Sequence, residues 1–146
     1  TPHNNAAARG SFIGLSHLSD PARLAQAVME GVSFAFRDCQ RVLTDAGTSI
    51  DRLLAVGGGS KSALWLKMLA TNLDMEIALP EDGDFGGALG AARLGLCAAE
   101  GADPASVMTM PPIKSVITPD KTLSAAYADQ YARYRALYPA IEEAIS

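Results

Sequence analysis

An α/β fold with at least part of its sheet parallel is the prediction for this sequence, and three observations carry it. Short apolar runs suited to buried strands alternate with longer stretches of helical periodicity. Glycine clusters stand at the joints between them, at Gly57-Gly58-Gly59 and at Gly86-Gly87. The order reads strand, helix, strand, helix, strand, helix and then a C-terminal helix, and alternation of this kind implies βαβ units. Three strands make an incomplete sheet with packed helices. The chain also starts at Thr1 without a methionine, so it is read as a fragment of something longer.

Each element has its own warrant. Residues 9–15 (RGSFIGL) carry Phe12, Ile13 and Leu15 between glycines and predict a short strand. Asp20 followed by Pro21 is a helix start, a capping carboxylate ahead of a proline whose missing N–H costs nothing there. From that point Leu24, Val28, Val32, Ala35, Cys39, Val42 and Leu43 recur at helical spacing as far as Gly47, which reads as the helix stop. The run Leu53-Leu54-Ala55-Val56 ends abruptly at three glycines, so a buried strand is favoured. Residues 61–73 predict a second helix with Trp65, Met68, Leu69 and Leu73 on its apolar side. Residues 75–79 alternate as a strand, and Asp84 is a candidate cap for a third helix over 85–99. Four glycines in that helix, Gly86, Gly87, Gly90 and Gly95, each cost about 1 kcal/mol against Ala. Gly86 and Gly90 share one face, which predicts close approach of another helix or a ligand. Residues 101–121 hold four prolines and predict an irregular connection with room for one helical turn. Residues 123–145 return to helical periodicity with a tyrosine stripe, read as core packing, and Pro139 is expected to kink or divide that helix.

Composition narrows the function. With 146 residues, 49% hydrophobic and 19% charged, the chain can bury one sizeable core and is not disordered in bulk. A net charge of -4 and a pI near 5.0 argue against a nucleic-acid surface. No run of about 18 apolar residues exists, so no membrane span is expected. The polar, Ala-rich start lacks the layout of a signal peptide. Cys39 and Cys97 fall in apolar helical patterns and read as buried free thiols of a reducing, cytoplasmic compartment. No metal site is expected, because His3 and His17 lie outside those patterns.

The sharpest chemical feature is Val56-Gly57-Gly58-Gly59-Ser60-Lys61-Ser62, set between a strand and a helix. Such a turn turns backbone N–H groups toward an anion, or lets a flat ring lie on the main chain, because no Cβ obstructs the approach. Two standard patterns fail on detail. A P-loop needs glycine directly before the Lys-Ser pair, and here Ser60 stands there. A dinucleotide fingerprint needs a third glycine where Ser62 sits, and only Glu76 or Glu81 approximates its distal acidic residue. No Ser/His/Asp set is visible, the pairs Asp82/Asp84 and Glu142/Glu143 read as solvated, and Glu30 reads as a hydrogen-bonded structural carboxylate.

Three linked segments then match a family. Gly10-Ser11-Phe12-Ile13-Gly14-Leu15 with Leu24 and Ala27-Val28-Met29-Glu30-Gly31 resembles the second signature of the FGGY carbohydrate kinases, with Arg23 departing from its usual acidic, amide or His position. The triple-glycine turn and the residues after it resemble the family's adenosine-contacting loop and helix. Asp84-Phe85-Gly86-Gly87-Ala88-Leu89-Gly90-Ala91-Ala92 resembles its later "GxALGAA" helix. Residues 1–5 (TPHNN) are similar to the xylulokinase branch. The resemblance implies the C-terminal part of an actin-like (ribonuclease H-like) ATPase domain over residues 1–146, with the sugar-binding domain and the start of this domain missing. It implies ATP and Mg²⁺ as cofactors and a sugar, D-xylulose above other pentuloses, as phosphoryl acceptor. Gly57, Gly58 and Gly59 would border the adenosine and phosphates, and Ser60 and Ser62 would offer hydroxyls nearby. The family's aspartate base and its Mg²⁺ contacts have no match in this chain, so no catalytic residue is assigned. A homodimer is compatible with this reading. The alternatives are another FGGY kinase (ribulose, gluconate or glycerol type), a non-catalytic nucleotide-binding or regulatory module on the same fold, and an NAD-binding oxidoreductase fragment.

Overall fold

The computed structural model describes residues 5, 8–81, 83 and 86–145. They form the order α1 (Pro21–Asp45), β1 (Leu53–Leu54), a 3₁₀ turn (Gly58–Lys61), α2 (Ala63–Leu73), β2 (Ile77–Pro80), α3 (Gly86–Glu100), α4 (Pro104–Val107), β3 (Ile113–Ile117) and α5 (Ser124–Ile145). The fold class is α/β, with a small mixed sheet and packed helices. The chain divides into two compact units, one of residues 1–50, 71–74 and 120–146, the other of residues 51–70 and 75–119.

The first unit is helical. Asp20 caps α1 as expected, its side chain accepting from the Arg23 N–H at 2.8 Å with Pro21 opening the helix. Gly47, at a φ of 87°, ends it. The buried face of α1 meets α5 through rings: Phe34 lies 6.1, 6.0 and 5.4 Å from the ring centroids of Tyr127, Tyr131 and Tyr134. The tyrosine stripe is therefore core packing. Polar groups are buried with it only where they are paired. The Tyr131 hydroxyl donates to Asp38 Oδ1 at 2.6 Å, Arg135 Nε stands 3.4 Å from the same oxygen, and Arg37 lies over the Tyr131 ring at 4.6 Å. Asn72, at the end of α2, donates to the Ser33 carbonyl at 2.8 Å and to its hydroxyl at 3.1 Å. Glu30 is half-buried and accepts from Gln26 at 2.7 Å, which fits its structural reading. Burial first, and then the Glu30 carboxylate that the Tyr127 hydroxyl hydrogen-bonds, push the Tyr127 pKa up.

The strand expected over residues 9–15 and the full burial expected of the two thiols both fail here. Residues 9–15 are not a strand. All three strands belong to the other unit, so this segment has no ladder to join among the described residues. It runs instead beside an apolar groove of about 880 Å³ lined by Leu24, Val28 and Val32 of α1 and Tyr134, Leu137 and Tyr138 of α5. Pro139 does not divide α5, which continues through it to Ile145. Cys39 and Cys97 are free thiols but half-buried rather than buried.

The second unit holds the sheet, in the order β1-β2-β3. β1 and β2 pair parallel in the register Leu53↔Ile77 and Leu54↔Ala78. β3 pairs antiparallel to β2, with Ile77 opposite Ile117 and a register shift at Leu79/Pro80. Pro80 has no N–H to give the ladder, so the shift falls where pairing must fail. β3 is the strand that the sequence hides, because prolines flank it on both sides and its residues are largely exposed, as an edge strand permits. The predicted helical turn before it is α4, capped by Asp103. The core is Leu66, Ala70 and Ile77, with Leu53, Ala55, Leu69, Leu79 and Ile117 packed on it.

The Tyr131–Asp38 pair gives a stability prediction. Tyr131→Phe leaves a buried carboxylate short of one donor and should lower unfolding stability by about 1–3 kcal/mol. Burial, reinforced by the bond to Asp38, holds the Tyr131 pKa far above its ordinary 10.0. That contribution is complete below pH 10.0 and is lost as the pH rises toward the folded-state value. Urea titrations on both sides of that pH should show the intact protein losing stability more steeply than Tyr131→Phe, and parallel losses would contradict the assignment.

Candidate nucleotide-binding site

β1 hands the chain to the glycine turn. The Ala55 N–H still donates to the Ala78 carbonyl at 3.0 Å, and one residue later the backbone leaves the sheet. Gly57 makes the departure at φ 81° and ψ -176°, a conformation in which any side chain is strained. Its N–H donates to the Gly83 carbonyl at 2.9 Å, so the turn after β1 is tied to the loop after β2. Its carbonyl accepts twice from Ser60, from the N–H at 3.1 Å and from the hydroxyl at 2.7 Å. Residues Gly58–Lys61 therefore wind as a 3₁₀ turn, tighter than the start of an α-helix.

Ser62 separates that turn from α2. Its backbone is extended, at φ -92° and ψ 103°, and its hydroxyl accepts from the Trp65 N–H at 3.3 Å. Its carbonyl takes the first helical bond, from the Leu66 N–H at 3.0 Å. Ser62 is thus the cap of α2, and α2 starts at Ala63 rather than at the expected residue 61. Both serines stand within the turn, and each hydroxyl already makes one bond that shapes it.

The five predicted residues Gly57, Gly58, Gly59, Ser60 and Ser62 are brought together on one short turn. Gly58 and Gly59 are exposed, and a β-carbon at Gly57 or Gly58 would meet nothing within 4 Å. The space beside the main chain at Gly57 and Gly58 is open. Sequence reasoning missed Gly83, whose buried carbonyl holds Gly57, because a single glycine in a loop reads as punctuation.

The second glycine cluster meets a strand end instead of a helix. A β-carbon at Gly86 would lie 3.0 Å from Val56 Cβ, so the first residue of α3 packs directly on the residue ahead of the turn. Gly90 lines a cavity of about 190 Å³ beside Val56, Pro80 and Arg93. Asp84, the expected cap of α3, lies outside the described residues, as do His3 and Asp82. Among the described residues no group of three or more His, Cys, Asp or Glu side chains is placed to hold a metal ion, and no helix is long and apolar enough to cross a membrane.

Residues 1–99 match the C-terminal domain of the FGGY family of carbohydrate kinases. The chain is 38% identical over 140 residues to xylulose kinase of Escherichia coli K12, a match covering 94% of this chain and 29% of that protein. It is 35% identical over 147 residues to xylulose kinase of Klebsiella pneumoniae, covering 100% of this chain and 30% of that one. The crystal structure of a "xyloylose kinase" from Brucella ovis superposes with a TM-score of 0.87 at 56% identity, over 98% of this chain and 30% of that one. The chain belongs to the FGGY family of carbohydrate kinases, and it spans less than a third of the length of the relatives it matches.

The two neighbouring glycines of the turn should respond differently to a methyl group. Gly57→Ala places a Cβ in a conformation reserved for glycine and should lower unfolding stability by about 1–3 kcal/mol. Gly58→Ala meets open space and should fall within about 0.5 kcal/mol of wild type. Thermal unfolding of the two variants side by side checks the pair, and equal losses would show that the turn does not depend on Gly57.

Proposed function

We propose that the intact protein transfers the γ-phosphoryl group of ATP to a pentulose, D-xylulose to D-xylulose 5-phosphate, in the cytoplasm. In this reading the chain supplies the nucleotide side. The observation that carries it is the open glycine turn between β1 and α2, in a chain whose relatives are named xylulose kinase across 94% or more of its length. Both units are then parts of one actin-like (ribonuclease H-like) ATPase domain whose sheet is completed by other segments.

The division of labour follows from the chemistry. Phosphoryl transfer is governed by positioning and by stabilising charge on the transferred group, and MgATP brings the phosphoryl donor and its neutralising cation. The residues of this chain hold the nucleotide. Gly57 to Gly59 let the main chain approach it without side-chain interference, and Ser60 and Ser62 keep their hydroxyls at the edge of the turn. The sugar, the aspartate base that takes its hydroxyl proton and the Mg²⁺ contacts are assigned to segments outside these 146 residues.

A coupled ADP-release assay on the intact protein over a panel of ketoses and polyols tests the reading. D-xylulose should give the highest kcat/KM. A different preferred sugar would move the protein to another branch of the family. Nucleotide binding with no sugar-stimulated turnover would favour a regulatory module. The 146-residue chain alone should turn over no ATP. Gly58→Val fills the space above the turn without straining the backbone, so it should abolish nucleotide binding while leaving thermal stability within about 1 kcal/mol of wild type. Unchanged ADP affinity in that variant would remove the turn from the site.

A further inference from the structure

We propose that residues 10–13 and the apolar stripe of α1 are a docking surface for β-structure of the same polypeptide from outside these 146 residues, with residues 10–13 pairing as a strand and the sheet so extended lying on the helix. This rests on the reading of the chain as part of a longer kinase, and not on what the glycine turn binds. The first observation is the orientation of α1. Its buried residues are Ser33, Phe34 and Asp38, turned toward Asn72 and the tyrosines of α5. The apolar stripe that marks this helix in the sequence lies on another side. Along it Val28, Val32, Phe36 and Val42 are between 46% and 62% exposed. An amphipathic helix turns such a stripe to a core, and here the side carrying Ser33 and Asp38 is the covered one. From Val28 to Val42 the stripe is about 21 Å long, the length of an ordinary strand.

The second observation is in the backbone. Residues 10–13 line the same groove, and Asn5 ties the chain ahead of them to the end of α5, donating to the Tyr138 hydroxyl at 3.1 Å and to Glu142 Oε1 at 3.3 Å. Among the described residues, no backbone N–H or C=O of residues 10–13 takes part in a hydrogen bond. Phe12 and Ile13 are 50% and 57% exposed. Adjacent apolar residues suit a strand covered on both faces, and a row of unpaired backbone groups is a template for strand addition. Gly14, at a φ of 77°, bounds the stretch that pairs. The chain spans 29% and 30% of the two xylulose kinases given above, so more than two thirds of each of those proteins lies outside the matched part. A second copy is the poorer occupant. It would offer the same four residues, and an isolated two-stranded ribbon is marginal in water. A larger sheet supplies both the ladder and an apolar face for α1.

The test uses the intact protein. Hydrogen exchange read by mass spectrometry should find the amides of residues 11–13 exchanging at least about a hundredfold more slowly than in the unfolded chain. Val32→Lys should lower the thermal midpoint by about 5 °C or more. Val28→Cys, a milder change, decides the matter if the lysine variant does not fold. Its new thiol should react with a maleimide about a hundredfold more slowly in buffer than in urea. Unprotected amides at residues 11–13, an unchanged midpoint in Val32→Lys, or equal labelling of Val28→Cys in the two solvents would each overturn the proposal. Protection that fades on dilution, together with a dimer in sedimentation, would assign the surface to a second copy and overturn it too. Kinase activity enters none of these readouts. An intact protein that is protected but binds no nucleotide loses the functional reading alone, and an active kinase with unprotected residues 11–13 loses this one alone.

Discussion

Gly57 must leave the sheet at a φ of 81°, and the surroundings of the turn are organised around that requirement. The residue before it, Val56, is held against the first glycine of α3. Its own N–H is taken by Gly83, and its carbonyl is taken by Ser60. With the backbone so fixed, Gly58 to Lys61 have room only for a 3₁₀ turn, and Ser62 must then reset the chain to extended geometry before α2 can start. A side chain at position 57 would introduce strain of about 1–3 kcal/mol at the point where β1, the turn and the loop after β2 converge. The glycines are therefore of two kinds: Gly57 serves the conformation, and Gly58 serves the open space above it.

The helical unit solves a different problem with different means. α1 and α5 are joined by rings around Phe34, and buried polar groups appear there only in matched pairs. Asp38 is 8% exposed, a poor place for a carboxylate unless donors are supplied, and Tyr131 and Arg135 supply them. Asn72 and Ser33 repeat the pattern at the end of α2, where the Asn72 amide donates to the carbonyl and hydroxyl of Ser33. Such pairs fix register more than they add stability, because an α1 rotated by one position would strand both acceptors.

Much of this was legible in the sequence where local chemistry decides the outcome. Asp20-Pro21 and Gly47 bracket α1 because capping and chain reversal depend on a few adjacent residues. The turn at Gly57 to Gly59 was readable for the same reason, since three glycines between a buried strand and a helix are costly without a use. Three features were not legible, each because a distant partner decides it. Residues 9–15 have strand-like composition, yet a strand needs a ladder, and none is available to them among the described residues. β3 has an ordinary strand pattern, yet Pro111, Pro112 and Pro119 around it obscure that pattern, and only its pairing with β2 reveals it. Gly86 was expected to meet a helix or a ligand and meets Val56, a contact that spans thirty residues of sequence and leaves no local trace. The role of Gly83 belongs to the same group, since it acts through a backbone carbonyl.

The bond from the Gly57 N–H to the Gly83 carbonyl also limits how this domain can vary among related sequences. Loops at the ends of strands ordinarily accept inserted or deleted residues at little cost. The stretch between Pro80 and Gly83 is an exception, because changing its length would shift the acceptor that anchors a turn more than twenty positions earlier in the chain. Length variation should therefore gather elsewhere, on the proline-rich connection around α4. The spacing from the end of β2 to Gly83 should stay constant even where the residues within it change.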